Sequence, residues 1–226
     1  MKKFNVFLLL GALFSLVLYS CDKEPDLDKL DNNYIVKTNY SKSVKYGELK
    51  TFFMGDKVYL VNNNSKEKEW VYGVDPEATA ILDAIADNMT QKGYTKVTEL
   101  TDDVDMTFVV AYFKDVNNLI LGNNWWNSWN GWYGGWYGGW YGYPYYPYYP
   151  YYPVVYSYEV GSIEIDMVQH SAESIKGKDG KDQKPVIWTS YATGQNSGNT
   201  KYDSKLVLTS INQAFAQSPY LVSNSK

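Results

Sequence analysis

The chain has 226 residues, with 21 lysines, no arginine and 25 acidic side chains, for a formal charge of −4. Arginine is the fork that reads phosphates and base edges, so an acidic chain without it argues against nucleic acid as a partner. One cysteine, Cys21, excludes an internal disulfide and a Cys-rich metal centre, and one histidine, His170, excludes a His-rich one.

Lys2 and Lys3 open the chain, and Val6 to Leu18 form an apolar run. That run is shorter than the roughly 20 residues a membrane-spanning helix needs, and it suits the apolar stretch of a cleavable signal. Leu18-Tyr19-Ser20-Cys21 closes it. This ending resembles the lipobox of bacterial lipoproteins, in which the cysteine is lipidated and becomes the first mature residue. The resemblance implies a signal peptide over 1–20, a lipid on Cys21 that holds the protein to a membrane, and residence in the bacterial cell envelope. The expected place is the outer membrane, on its periplasmic or surface face. Cleavage removes Lys2 and Lys3 and takes the charge from −4 to −6. Residues 21–33 read as an acidic tether, polar and interrupted by Pro25.

From Tyr34 to Tyr220 the pattern predicts a single α+β domain, with 221–226 as a tail. Lys50–Phe53 and Val58–Val61 are β-prone runs around Gly55-Asp56, read as a hairpin. Asp75-Pro76 announces a helix, with Ile81, Leu82, Ile85 and Met89 at helical spacing and Gly93 closing it. Met106 to Phe113 is apolar on both faces, as a strand inside a sheet would be. Tyr158 to Val168 alternates, which predicts Ile163, Ile165 and Met167 in the core and Ser162, Glu164 and Asp166 in water. Pro185 to Thr193 is the next strand, after a polar loop built around Asp179-Gly180. Ser204 to Ser218 forms a second amphipathic helix, stopped by Pro219. The expected assembly is a mostly antiparallel sheet with two helices packed on it, carrying a long aromatic Gly/Pro-rich insertion.

That insertion, 117–156, sits in a stretch with no charged residue between Asp115 and Glu159, and it holds six of the eight tryptophans. In GWYGGWYGGWYG at 131–142 half the positions are glycine, which opposes a helix. Extended, it places Trp132, Trp136 and Trp140 on one face and Tyr133, Tyr137 and Tyr141 on the other. Prolines at 144, 147, 150 and 153 then match the three-residue turn of polyproline II. Such rings can stack on a glycan, sit at a membrane–water interface or meet an envelope protein. The same composition also describes a low-complexity extension outside the core.

Candidate chemistry is sparse. Glu164 and Asp166, two apart on one strand, share a face at about 7 Å, a separation within the range used by glycoside hydrolases. Asp102, Asp103 and Asp105 offer oxygen ligands but lack the spacing of a calcium loop. No phosphate loop, dinucleotide fingerprint or nucleophile elbow occurs, so no cofactor and no metal is expected. The favoured reading is a non-enzymatic binding or structural module of the envelope; the alternative is a glycosidase-like hydrolase using Glu164 and Asp166.

Several segments, in order, resemble the family of bacterial lipoproteins with domain of unknown function 4136. They are KTFF at 50–53, AILDAIADNMTQKGY at 80–94, DMTFVVAYF at 105–113, YEVGSIEIDMVQ at 158–169, PVIWTSYATG at 185–194 and INQAFAQSP at 211–219. The resemblance implies a small α+β domain behind a lipid anchor, and it brings no catalytic residues with it.

Overall fold

The computed structural model describes residues 35–62, 69–115, 146–148, 161–176, 180, 182–193 and 200–224. Cys21, the segments expected to be a signal (1–20) and a tether (21–33), and most of the aromatic stretch 117–156 lie outside them. In chain order the strands are β1 (Ile35–Tyr40), β2 (Thr51–Phe53), β3 (Lys57–Asn62) and β4 (Glu69–Val71), followed by helix α1 (Pro76–Gln91). Then come β5 (Thr95–Val97), β6 (Met106–Asp115), β7 (Tyr146–Tyr148), β8 (Ser162–Gln169), β9 (Ile175–Lys176), β10 (Asp182–Thr193) and α2 (Thr200–Ala216).

The helix announced by Asp75-Pro76 forms where its signals place it. Ala78, Ile81, Leu82, Ile85, Ala86 and Met89 make one buried stripe at the spacing that keeps side chains on one helix face. Gly93, at φ +90°, ends it. The Gly93 amide donates to the Thr90 carbonyl and the Tyr94 amide to the Met89 carbonyl, the paired bonds of a Schellman close, in which a left-handed residue is required. Asp75 stands at the N-cap position but its side chain does not cap the helix. Its carboxylate turns back and accepts from the Val71 amide at 2.7 Å, so it fixes the turn before the helix rather than the first helical amides.

The sheet runs β1-β10-β8-β6-β2-β5, with β3 and β4 beside β6, and β7 and β9 beside β10. It is mixed, which corrects the expectation of a mostly antiparallel sheet. β1, β10, β8 and β6 are successively antiparallel, but β2 is parallel to both β5 and β6, and β3 is parallel to β6. The reason is the helix. A chain that crosses over through α1 returns in its original direction, so β5 comes back alongside β2. The expected hairpin around Gly55-Asp56 is absent for the same reason. β2 and β3 lie end to end along one edge of β6, Phe52 opposite Met106 and Tyr59 opposite Ala111.

β6 and β8 flank the aromatic insertion and pair over the whole of β8, from Met106 opposite Gln169 to Phe113 opposite Ser162. The Gly161 amide donates to the Phe113 carbonyl at 2.7 Å and closes the base of the insertion. One piece of the insertion joins the sheet: Tyr146–Tyr148 runs parallel to Gln183–Pro185.

Both helices pack on one face. α2 is four residues longer at its start than the pattern predicted, and it buries Val207, Ile211, Ala214 and Phe215. The Phe215 ring lies 5.1 Å from that of Trp188 on β10. The helix residues, Phe108 and Val110 of β6, Ile163, Ile165 and Met167 of β8, and Trp188 form one cluster. Each such aliphatic side chain contributes about 1.5–3 kcal/mol when fully buried. Asn88 of α1 donates to Asn212 of α2 at 2.8 Å and ties the helices together.

Candidate functional site

Alternation along the strands gives the sheet a second face, and its chemistry differs from the first. On β8 it carries Ser162, Glu164, Asp166 and Val168. The register sets Phe113, Ala111, Val109 and Thr107 of β6 beside them. Tyr191 of β10 lies opposite Glu164, and Thr189 lies opposite Asp166. Tyr59 of β3 extends the face beyond Ala111.

Glu164 and Asp166 therefore share a face, as the spacing predicts, but that face is not wet. Glu164 is 6% exposed, Asp166 2% and Ser162 fully buried. The simple inference from alternating charge failed because it used one strand. A polar strand edged by Phe113, Ala111, Tyr191 and Tyr59 lies in a largely apolar floor, all of it buried. Hydroxyls supply some of the hydrogen bonding. Ser162 Oγ lies 3.1 Å from Tyr191 Oη and donates to Thr193 Oγ1 at 3.0 Å. The Thr189 hydroxyl, facing Asp166, is buried without a hydrogen-bond partner. Tyr59, Thr107, Thr189 and Tyr191 were not singled out from the sequence; the polar alternation of Thr189, Tyr191 and Thr193 on β10, read against β8, was the available signal.

The other candidates are structural. Asp105 turns its carboxylate to β2, accepting from the amides of Lys50 and Thr51 at 2.7 and 3.0 Å. Among the described residues no group of three or more His, Cys, Asp or Glu is arranged to hold a metal. His170, just past β8, is buried, and its amide donates to the Asp105 carbonyl at 2.8 Å. Burial, with help from the nearby Lys184 ammonium, holds its imidazole below the usual histidine range, against a hydrogen bond to the Thr101 carbonyl and the charge of Asp102. Lys184 itself donates to the Ala172 carbonyl. Glu69 and Lys57 pair at 3.5 Å beside Tyr59, and burial raises the Glu69 carboxyl despite that ammonium.

Cys21, the residue expected to be lipidated, and the ring set Trp132, Trp136, Trp140, Tyr133, Tyr137 and Tyr141 lie outside the described residues. Among the described residues no helix is long and apolar enough to cross a membrane.

Residues 36–220 match the family DUF4136, a domain of unknown function. A crystal structure of a DUF4136 family protein from Bacteroides thetaiotaomicron is similar, with 33% identity and a TM-score of 0.68; the match covers 85% of this chain and 99% of that one. A PelC dodecamer from Paraburkholderia phytofirmans is a much more distant likeness, at 8% identity and a TM-score of 0.36, covering 80% of this chain and 96% of that one. No curated protein matches the chain.

Proposed function

Because the chain belongs to the DUF4136 family, a family without an assigned activity, we propose from its own residues that it is a non-enzymatic lipoprotein of the bacterial cell envelope. Cys21 carries the lipid and holds the domain at the outer membrane. The aromatic insertion is the working part, and a glycan or an envelope protein is its partner.

The observation that supports this reading best is the root of the insertion. It leaves β6 and returns to β8, two central strands that are hydrogen-bonded along their length, and the Gly161–Phe113 bond closes it at the base. A segment rich in stacking rings and free of charge is thus rooted on two paired central strands of the sheet, an arrangement suited to presenting rings to a partner. The hydrolase reading lacks such support. Glycoside hydrolysis needs both carboxyl groups open to a sugar ring, and Glu164 and Asp166 are buried within the sheet face.

Fluorescence titration tests the glycan form of the proposal. Polysaccharide should quench tryptophan emission saturably, and replacing Trp132, Trp136 and Trp140 by alanine should weaken binding at least about tenfold, at about 0.5–1.5 kcal/mol per stacked ring. A blue shift with lipid vesicles and no response to glycans would move the proposal to a membrane partner. Absence of any response to glycan, vesicle or envelope extract would end it.

A further inference from the structure

The edges of the sheet differ. β5 closes one end of the strand order and β4 flanks β3; each has three residues, and edge strands that short offer little to pair with. β1 closes the other end and is longer. It runs for six residues opposite six consecutive residues of β10, from Ile35 opposite Thr193 to Tyr40 opposite Trp188, with no proline and no bulge. Among the described residues no strand other than β10 pairs with it. Sheets guard such an edge with proline, bulges or charge, and Lys37 is the one charged residue of β1.

The register fixes which backbone groups of β1 face outward. The Ser41 amide donates to the Ile187 carbonyl at 2.8 Å, and bonding to a given neighbour alternates along an antiparallel strand. Ile35, Lys37 and Asn39 therefore turn their backbone groups to β10, while Val36, Thr38 and Tyr40 turn theirs outward. The Tyr40 amide agrees with this. It donates to Oδ1 of its own neighbour Asn39 at 2.9 Å, a local bond of the kind that competes with a strand ladder. The side chains divide in the same way. Val36 and Tyr40 pack on the core of the first face, where Thr38 hydrogen-bonds Tyr220. All three are half-buried, and Ile35, on the other face, is 61% exposed.

We propose that β1 pairs antiparallel with β1 of a second copy of this chain, about a two-fold axis at Thr38, so that the sheet runs on from one copy into the other. In this register β1 is complementary to itself. Val36 lies opposite Tyr40 and Thr38 opposite Thr38, an aromatic–β-branched pair and a Thr–Thr pair of the kinds that stabilise sheets. Each outward amide meets an outward carbonyl, the Tyr40 amide exchanging Asn39 for the second copy, and Lys37 lies opposite Asn39. The two nearest registers with the same facing are worse. A slip one way sets Lys37 against Lys37, which like charge opposes. A slip the other way carries Val36 past the end of the facing strand. Pairing about a two-fold uses the same patch on both copies and closes at two. It is independent of the partner-binding proposal, since it involves none of the rings at 132–141.

Sedimentation of the full-length protein in mild detergent, across a concentration series, tests it. An interface this small belongs to the weak class, so two copies should associate with a dissociation constant on the order of 10 μM. Thr38→Pro removes an outward amide and leaves the bonds of Lys37 and Asn39 to β10 in place. It should weaken association at least about tenfold while thermal unfolding stays cooperative. A protein still single at about 200 μM, far above that range, overturns the proposal. So does an assembly of more than two copies, or a folded Thr38→Pro variant that associates as before. Should Thr38→Pro not fold, a photo-crosslinking residue in place of exposed Ile35 decides the matter, in an equal mixture of isotope-labelled and unlabelled chains. Crosslinks from a labelled to an unlabelled chain close to Ser41, which faces Ile35 in this register, support the proposal. Crosslinks between chains at other places, within one chain only, or none at all overturn it.

Discussion

Asp105 and Thr51 bind each other reciprocally across the start of the parallel pair β2–β6. Thr51 donates to the Asp105 carboxylate from its amide at 3.0 Å and its hydroxyl at 3.2 Å, and the Asp105 amide donates to Thr51 Oγ1 at 3.0 Å. The Lys50 amide adds a third bond to the same carboxylate oxygen at 2.7 Å. Parallel pairing begins here without a turn to set its register, so a side chain does it. Asp105→Ala should cost about 1.5–3 kcal/mol, the range for losing a hydrogen bond to a charged group. Urea unfolding should show the loss as a lower midpoint. An unchanged midpoint would mean the strand pairing holds its own register.

Ser218 has a comparable role at the end of α2. It accepts from Trp188 Nε1 at 3.0 Å and from the Tyr220 hydroxyl at 3.2 Å, and donates to the Ala214 carbonyl at 2.9 Å. All of this is next to the fully buried Trp188 ring. Ser218→Ala removes the acceptor that the indole N–H meets at 3.0 Å and should destabilise the domain by about 1–3 kcal/mol. Thermal unfolding measures it, and Ser218→Thr, which keeps the hydroxyl, should recover part of the loss.

The single histidine gives a clean pH test. His170 is held below its ordinary 6.5 by burial first and Lys184 second. The unfolded chain therefore takes up a proton before the folded one does, and folding stability falls as pH drops below 6.5 toward the folded value. Glu69 works in the opposite sense: its raised carboxyl costs stability as pH climbs above 4.5. Unfolding free energies between pH 7.5 and 5 should decline for the unaltered protein and decline less for His170→Gln. Identical slopes would show that His170 does not carry the effect.

The proposed lipid anchor predicts a fractionation result. Cys21→Ala should free the protein from membranes or leave its signal uncleaved. If the variant fractionates and is processed like the unaltered chain, the anchor proposal fails.

Much was legible in the sequence by itself. The stripe Ile81, Leu82, Ile85 and Met89 with Asp75-Pro76 before it and Gly93 after it contains every local cause of a helix, and α1 forms there. The apolar run at 106–113 marked an interior strand because burial on both faces leaves no room for alternation. What the tertiary structure decided is whatever depends on a neighbour distant in sequence. β2 and β3 read as a hairpin because Gly55-Asp56 is a turn signal, yet β6, some fifty residues away, takes both strands along one edge. Glu164 and Asp166 read as a solvated face because alternation shows which side chains share a face and never what lies over it. Periodicity records the chain's own geometry; direction of pairing and burial of a polar face belong to contacts that loop closure brings together, and no local pattern encodes them.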